Sequence, residues 1–246
     1  MARKRGTLPP DLSGEWDQIG KIVQVWTETL DRDEGGRARL ESVLSPDEKA
    51  RADRFHFAKD RNRFVVGRGL LRELLGKYLH QEPAGLEFSY AQYGKPVLSG
   101  ATASSGLSFN LAHSAGLAVY SVAMERNLGI DVELIKPESA GEDIARRYFS
   151  TREVVDLLAL PPEQRIEAFF HCWTRKEAYL KATGMGLQTP LASFSVSLAP
   201  SQPAQFLGGV EARWNLASFQ PGDGYAAALV YDGVPCPIQY FPIGSL

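Results

Sequence analysis

The same start signal for a helix occurs twice in this sequence, and a long helical segment follows each copy. Ser45-Pro46-Asp47-Glu48 and Ser150-Thr151-Arg152-Glu153 both place a glutamate three residues after a serine, which is the capping-box pattern of a helix N-terminus. Apolar residues then recur at helical spacing in residues 60–79, and residues 164–182 form a second long helical segment. The chain must therefore accommodate two similar helical units.

Segments typical of β-strands follow each pair of helical segments. Alternating or β-branched residues predict strands at 86–90, 107–111, 117–122, 128–135, 194–198 and 224–231. Residues 113–116 are expected to form the turn of a hairpin. The repeated order predicts an α+β fold of two similar halves in a pseudo-twofold arrangement, an N-terminal half (1–127) and a C-terminal half (128–246). The alternative is one continuous α+β domain in which the repeated order is coincidental.

Composition excludes several classes of protein. The chain has 246 residues, of which 44% are hydrophobic and 23% charged, as in ordinary soluble domains and unlike disordered or collagen-like chains. A net charge of −2 supplies no bulk positive charge for non-specific nucleic-acid binding. No apolar run approaches the length of a membrane span. We therefore expect neither nucleic acid nor a membrane as a partner.

The cysteines and the N-terminus point to a reducing compartment. Cys172 and Cys236 are isolated and the four histidines are scattered, which argues against a structural zinc site. Isolated cysteines fit a cytoplasmic location. The basic stretch Arg3-Lys4-Arg5 is not followed by the apolar segment of a signal peptide, so we expect a solvated tail.

Two acidic residues on one strand are the first candidate for chemistry. Asp131 and Glu133 are two positions apart in the 128–135 segment, so both carboxylates project from the same face of the strand. Adjacent carboxylates repel each other unless a cation lies between them or one is protonated. Magnesium prefers such oxygen ligands together with substrate phosphates, although the pair alone also fits a solvated strand face.

The second long helical segment adds a further carboxylate and a lysine. Glu177 and Lys181 are four residues apart, which places them on one helix face. Phe170 and Trp173 lie on or near the same face of the helix, which suggests that this face is buried. Burying a charged pair there costs free energy unless the charges have partners. An exposed ion pair is the simpler reading, whereas a third ligand for a cation and a lysine for a phosphate would supply the missing partners.

These segments together resemble a known enzyme family. Residues 129–133 (GIDVE) and 173–181 (WTRKEAYLK) resemble the two signatures of 4'-phosphopantetheinyl transferases, and their spacing is that of the larger, surfactin-synthetase-activating type. Three further motifs match: Tyr93-Gly94-Lys95-Pro96, residues 109–114 (FNLAHS), and Arg54-Phe55 with residues 60–63. The resemblance extends from about residue 45 to residue 230, and the order of the motifs makes it specific.

The resemblance implies a reaction, a set of partners and a location for the site. Such enzymes move the phosphopantetheine arm of coenzyme A to a serine of an apo acyl or peptidyl carrier protein and release 3',5'-ADP. The family fold is a monomer of two α+β halves with the active site in the cleft between them. Carriers of fatty-acid, polyketide and nonribosomal peptide synthesis all remain open, as does the use of acyl-coenzyme A.

The resemblance also implies roles for individual residues. Asp131, Glu133 and Glu177 would hold magnesium against the pyrophosphate. Glu177 is also counted among the catalytic residues, together with Lys181, which would neutralise the departing phosphate. The expected contacts with coenzyme A come from Arg63, Gly94, Lys95, Pro96, Asn110, Ala112, His113 and Lys181. Many members have serine where this chain has Ala112, which would remove one hydroxyl donor to a phosphate.

Glu153 has two competing interpretations. It lies where the family's proposed base for the carrier serine is found, and it is also the glutamate of the second capping box. Two other classes of function compete with the transferase: another magnesium-dependent phosphoryl-transfer enzyme, and a non-catalytic carrier-binding protein. The absence of a GxxxxGK[ST] loop argues against the first, and the intact set of Asp131, Glu133, Glu177 and Lys181 argues against the second.

Overall fold

A computed structural model gives the fold of this chain for residues 21–186, 189–242 and 244. The basic stretch at residues 3–5 lies outside these described residues, so its interpretation as a solvated tail stays a prediction. No helix within the described ranges combines the length and the apolar character needed to cross a membrane.

The described part of the first half contains eight α-helices and β-strands. In chain order they are β1 (Val23–Thr29), α1 (Glu34–Ser42), α2 (Pro46–Ala52), α3 (Ala58–Leu79), β2 (Phe88–Tyr90), β3 (Pro96–Leu98), β4 (Leu107–Ser114) and β5 (Leu117–Met124).

The second half repeats this order. Its elements are β6 (Leu128–Leu134), α4 (Glu142–Tyr148), α5 (Thr151–Ala159), α6 (Pro162–Thr183), β7 (Ser195–Val196), β8 (Phe206–Gly208), β9 (Trp214–Phe219) and β10 (Tyr225–Asp232), followed by β11 (Ile238–Phe241).

The two main sheets have matching strand orders. The first runs β11-β1-β5-β4 and the second β6-β10-β9, and within each the strands β1-β5-β4 and β6-β10-β9 pair antiparallel. The α+β fold of two similar halves is confirmed by this repeat. Strand β11 is outside it, because it crosses to the first sheet and pairs parallel with β1, where Phe241 stacks on Trp26 at a ring-centroid distance of 4.0 Å.

Each capping box ends in a buried glutamate that is paired with the following long helix. Glu48 is 1% exposed and accepts from Arg72 Nε of α3 at 2.6 Å. Glu153 is fully buried and lies 2.8 Å from Lys176 Nζ of α6. Both glutamates also accept from the backbone N–H of their capping serine. The repeated sequence signal therefore builds the same junction between a short helix and a 22-residue helix in both halves.

The face of β6 opposite the acidic pair belongs to a core shared by both sheets. Ile130 and Val132 are at most 1% exposed and pack with Val25 and Val119 of the first sheet and with Leu229 of the second. Burial of these apolar side chains stabilises the packing of one sheet against the other. It also fixes which face of β6 carries the carboxylates.

Several predicted strands differ from the observed ones. Strand β4 continues through His113 to Ser114, so the hairpin loop consists only of Ala115, with φ of +50°, and Gly116. The strand expected at 194–198 is only two residues long. Ser197, which follows the observed strand, is buried, and its hydroxyl donates to the carbonyl of Pro203 and accepts from the N–H of Gln205.

Candidate active site

A glycine lets helix α6 approach the acidic strand. A Cβ at Gly129 would lie 2.0 Å from the carbonyl oxygen of Ala178 and 2.3 Å from the backbone nitrogen of Ala182. Gly129, Asp131 and Glu133 share one face of β6 because strand side chains alternate. The close approach therefore brings Glu177 and Lys181, which flank Ala178 and Ala182 along the helix, up to the strand carboxylates.

Lys181 pairs with the strand rather than with Glu177. Its Nζ donates to Oδ1 of Asp131 at 2.6 Å. Asp131 is 4% exposed, and its Oδ2 is buried without a hydrogen-bond partner. Two simpler interpretations of the sequence thus differ from the structure, since Asp131 is not on a solvated strand face and Lys181 is not in a simple Glu–Lys pair along the helix.

The three carboxyl groups are electrostatically coupled. Burial raises the pKa of Asp131, although Lys181 opposes the shift. Burial also raises the pKa of Glu177, and the negative charges of Asp131 and Glu133 raise it further. The pKa of Glu133 is raised by burial and by Asp131, while a hydrogen bond from Ser114 lowers it. Deprotonating all three is therefore unfavourable unless a cation compensates.

The oxygen atoms of the three carboxylates are suitable ligands for a hard cation, but in this structure the side chains are not arranged as a metal-binding site. Within the described residues, no group of three His, Cys, Asp or Glu side chains is placed to hold a metal ion. The unpartnered buried Oδ2 of Asp131 is the observation that fits a cation, because buried carboxylate oxygens normally have a partner. Asp131, Glu133 and Glu177 would offer carboxylate oxygens, which are the ligands that Mg²⁺ prefers.

A cavity of about 430 Å³ lies beside Lys181 and Glu177, within the usual size range of ligand sites. Helix α3, the β2–β3 hairpin and β4 form one wall, and α6 forms the other, so the cavity lies between the two halves. All the residues expected to contact coenzyme A line it, namely Arg63, Gly94, Lys95, Pro96, Asn110, Ala112, His113 and Lys181.

The cavity wall carries basic and aromatic side chains, although Arg63, Arg68 and Lys181 are each paired with a carboxylate behind it. Its cationic or titratable basic side chains are Arg51, Arg63, Arg68, Lys95, His113 and Lys181, against the single acid Glu177, and its aromatic residues are Phe55, Phe64, Tyr90 and Tyr93. Clustered arginines and lysines favour phosphate groups, and aromatic rings offer surfaces on which a planar base can stack. This combination can accommodate a nucleotide with several phosphates.

Lys95 joins the first half to the second. Its Nζ donates to the carbonyl oxygen of Leu128 at 2.7 Å and to that of Lys181 at 2.9 Å. Leu128 begins the acidic strand, and Lys181 lies near the end of α6. Burial lowers the pKa of Lys95 to about 8, with a contribution from the nearby charge of Lys181. Two of the three ammonium donors are thus already used within the protein.

Arg63 is held in a bidentate ion pair at the wall of the cavity. Its Nε and Nη2 donate to the two carboxylate oxygens of Asp31 at 2.8 and 2.7 Å. This pairing raises the pKa of Arg63, although the group is partly desolvated. The fork geometry of the guanidinium fixes its plane, so Asp31 orients Arg63 beside the cavity.

Two expected contacts have additional roles in the structure. Ala112 is 5% exposed and packs in the core shared by the two sheets, so the position where many relatives have serine is largely enclosed. Asn110, 4% exposed, accepts a hydrogen bond from the backbone N–H of Ile130 at 2.8 Å. The side-chain oxygen of Asn110 is therefore directed to β6.

Glu153 does not join the other candidate residues. Its carboxylate accepts from the backbone N–H of Ser150 at 2.7 Å and from that of Val196 at 2.8 Å, in addition to the ion pair with Lys176. The side chain is fully buried and is not part of the cavity wall. Among the acidic residues expected at the site, Glu177 is the one that lines the cavity.

Some residues at the site had no role in the sequence interpretation. Arg51 and Arg68 line the cavity, but isolated arginines on helices carry no pattern that distinguishes them from surface residues. Ser114 was part of a matched motif, and its hydroxyl donates to Glu133 at 2.8 Å. That contact links strands from different halves, so only the three-dimensional structure reveals it.

Family comparisons agree with the two halves and with the motifs. Residues 127–230 match the model described as "4'-phosphopantetheinyl transferase superfamily", and residues 35–125 match that described as "4'-phosphopantetheinyl transferase, N-terminal". The chain is 43% identical over 225 residues, 92% of each protein, to the 4'-phosphopantetheinyl transferase HetI of Nostoc sp..

Two Bacillus subtilis proteins are also similar. The chain is 37% identical over 164 residues to a 4'-phosphopantetheinyl transferase, covering 67% of this chain and 70% of the relative. It is 35% identical over 160 residues to the 4'-phosphopantetheinyl transferase Sfp, covering 65% of this chain and 69% of that protein. With HetI matched over almost its whole length, this chain belongs to the 4'-phosphopantetheinyl transferase superfamily.

Proposed function

We propose that this protein transfers the 4'-phosphopantetheine arm of coenzyme A to a serine hydroxyl of an apo acyl or peptidyl carrier protein, releasing 3',5'-ADP in a magnesium-dependent reaction. The observation that carries the proposal is the cavity between the halves, where basic and aromatic side chains lie beside a cluster of three carboxylates. Phosphoryl transfer needs charge neutralisation and alignment more than covalent help from the protein, and this cavity has the groups for both.

The basic wall would bind the phosphates of coenzyme A. Arg63 is oriented by Asp31, and His113 lies on the neighbouring strand β4 along the same wall. Tyr90 and Tyr93 are partly exposed and border the cavity, where they offer stacking surfaces for the adenine. Lys95 would hold the two halves together through two carbonyls and retain one donor for the nucleotide.

Magnesium would be held by Asp131, Glu133 and Glu177. When bound, the ion would neutralise charge on the pyrophosphate oxygens. Lys181, which donates to Asp131 in this structure, would bind the departing phosphate and stabilise its negative charge. Of these three carboxylates, Glu177 is the one that lines the cavity, and we assign it to accept the proton of the carrier serine. Glu153 is assigned to the helix cap and the buried ion pair.

The wider context of the enzyme is also part of the proposal. The boundary between the halves is placed between residues 127 and 128, supported by the repeat of elements and by the two adjacent family matches. Cys172 and Cys236 are both free thiols, which fits the reducing cytoplasm. We propose a monomer, because the pseudo-twofold pair of halves supplies both cavity walls within one chain.

The nucleotide product tests this function. The protein is incubated with an apo carrier protein, coenzyme A and Mg²⁺, and the nucleotides are separated by chromatography. We expect 3',5'-ADP to accumulate in step with the modified carrier, and to be absent when EDTA is added or when Asp131→Asn replaces the wild type. Equal product formation with EDTA would contradict the magnesium requirement, and product without a carrier would contradict the transfer.

A further inference from the structure

Strands β4 and β6 lie side by side but belong to different sheets. Strand β4 is an edge of the first sheet and β6 an edge of the second, and the described residues show no backbone ladder between them. The N–H groups on this edge of β6 therefore need partners from elsewhere, since buried backbone donors are rarely left unpaired.

Two polar side chains of β4 supply those partners. Asn110 Oδ1 accepts from Ile130 N at 2.8 Å, and Ser114 Oγ accepts from Leu134 N at 3.1 Å. The partners are twenty positions apart in both bonds, so the two strands run parallel in a fixed register. The two anchored N–H groups flank the segment that contains Asp131 and Glu133.

The hydroxyl of Ser114 makes a second bond, to the acidic pair itself. It donates to Glu133 Oε2 at 2.8 Å while it accepts from Leu134 N. One hydroxyl can donate once and accept twice, so both bonds form together. The same group therefore fixes the backbone of β6 and the orientation of the Glu133 carboxylate.

We propose that Asn110 and Ser114 are positioning residues, which hold the carboxylate strand of the second half in register with the nucleotide-binding wall of the first. This inference rests on the proposed function, because it assigns the positioning to carboxylates that bind magnesium. Residues behind metal ligands commonly change metal affinity by about 10–100-fold when they are removed. Ser114 gives the cleaner test, because Asn110 also lines the cavity.

The test compares three variants with the wild type. Ser114→Ala removes both hydrogen bonds and Ser114→Thr restores the hydroxyl. Ser108→Ala is the matched control, because Ser108 lies on the same strand and the same face and makes no hydrogen bond to β6 among the described residues. Thermal unfolding confirms that each variant is folded.

Metal binding is measured without turnover. Mn²⁺ replaces Mg²⁺ and is titrated by electron paramagnetic resonance in the presence of coenzyme A and the absence of a carrier. For Ser114→Ala we expect Mn²⁺ affinity to fall about tenfold or more, with the Kd for coenzyme A, measured by calorimetry, almost unchanged. Ser114→Thr and Ser108→Ala are expected to bind Mn²⁺ almost as tightly as the wild type.

Amide hydrogen exchange supplies an independent readout. The Leu134 amide is expected to exchange faster in Ser114→Ala than in Ser114→Thr, because only the hydroxyl protects it. Unchanged Mn²⁺ affinity in Ser114→Ala, or an equal loss in Ser108→Ala, would overturn the positioning role while leaving the proposed function intact. A wild-type protein that binds no Mn²⁺ would overturn both.

Discussion

Lys181 Nζ lies 2.6 Å from Oδ1 of Asp131, while Oδ2 of the same carboxylate is buried without a partner. The lysine of the second half thus neutralises part of a charge that burial alone would disfavour, as the raised pKa of Asp131 shows. Glu177 and Glu133 add further negative charge nearby. The negative charges of the three carboxylates therefore destabilise the folded protein when no cation is bound, and a bound cation would remove this repulsion.

Stability should consequently depend on pH and magnesium together. Asp131, Glu133 and Glu177 all have pKa values raised by folding, from ordinary values of 3.8, 4.5 and 4.5. Each contributes stability that is complete below those ordinary values and is lost as the pH rises through the folded pKa. We expect Mg²⁺ to raise the unfolding temperature more at about pH 7 than at about pH 5, as measured by calorimetry.

The variant Glu177→Gln separates this effect from general ion binding. It removes one negative charge from the cluster, so without metal it should be more stable than the wild type near neutral pH. Its unfolding temperature should respond less to Mg²⁺. A wild-type response to Mg²⁺ that is independent of pH, or one unaltered in Glu177→Gln, would contradict the cluster.

The second prediction concerns Glu153. As a cap alone, its replacement by glutamine would cost about 1 kcal/mol. Its carboxylate, however, accepts from Ser150 N–H, Val196 N–H and Lys176, and a glutamine amide nitrogen cannot accept. We expect Glu153→Gln to reduce the free energy of unfolding by about 3–5 kcal/mol, measured by denaturant unfolding, because Lys176 stays buried with its charge uncompensated.

Two measurements complete the Glu153 test. The double variant Glu153→Gln/Lys176→Met should lose less stability than the sum of the single losses, because the two groups interact directly. Below its unfolding temperature, Glu153→Gln should keep turnover within about tenfold of the wild type, whereas loss of a general base would lower it by about 10²–10⁴-fold. A loss of the latter size in folded protein would assign the base to Glu153.

Gly129→Ala should disrupt the site from a position without functional groups. The added Cβ would overlap the backbone of α6 at Ala178 and Ala182, and overpacking of this kind costs about 1–3 kcal/mol or more. We expect a lower unfolding temperature and loss of turnover as α6 moves away from β6. Gly35→Ala is the control, because that helical glycine has open space around it, and alanine there should increase stability by about 0.5–1 kcal/mol.

The sequence predicted the two long helices and the helices that begin at the capping boxes, but it missed the helices at Glu34–Ser42 and Glu142–Tyr148. Capping boxes and helical periodicity are local signals, and both long helices formed within a few residues of their predicted bounds. Strand β1 was missed although it is central to the first sheet, because its polar Gln24 and Glu28 are buried and obscure its apolar pattern. Burial of a polar residue depends on partners distant in sequence.

The same limit applies to the candidate site. The motifs identified the residues expected to contact coenzyme A, which all line the cavity. They did not predict Arg51 or Arg68 there, the pairing of Lys181 with Asp131, or the bonds of Lys95 to two carbonyls. These contacts depend on how the two halves pack. A motif records which side chains meet, whereas their hydrogen-bond partners follow from the packing of β6 against β4 and α6.

Lys95 provides the fourth prediction. Replacement by methionine keeps the aliphatic chain but leaves the carbonyls of Leu128 and Lys181 without their donor. We expect a loss of about 1–3 kcal/mol in the free energy of unfolding and a lower kcat, because β6 and α6 are no longer held to the first half. An increase in the KM for coenzyme A alone, at unchanged stability and kcat, would show that Lys95 is only a phosphate ligand.

The mass of a carrier protein shows directly whether this chain transfers phosphopantetheine. An apo carrier is incubated with the enzyme, coenzyme A and Mg²⁺, and the intact carrier is weighed by mass spectrometry beside a variant whose acceptor serine is replaced by alanine. We expect the wild-type carrier to gain one phosphopantetheine and the alanine variant to gain nothing. An unmodified wild-type carrier, across acyl and peptidyl carriers alike, would contradict the assignment of this chain as an active transferase.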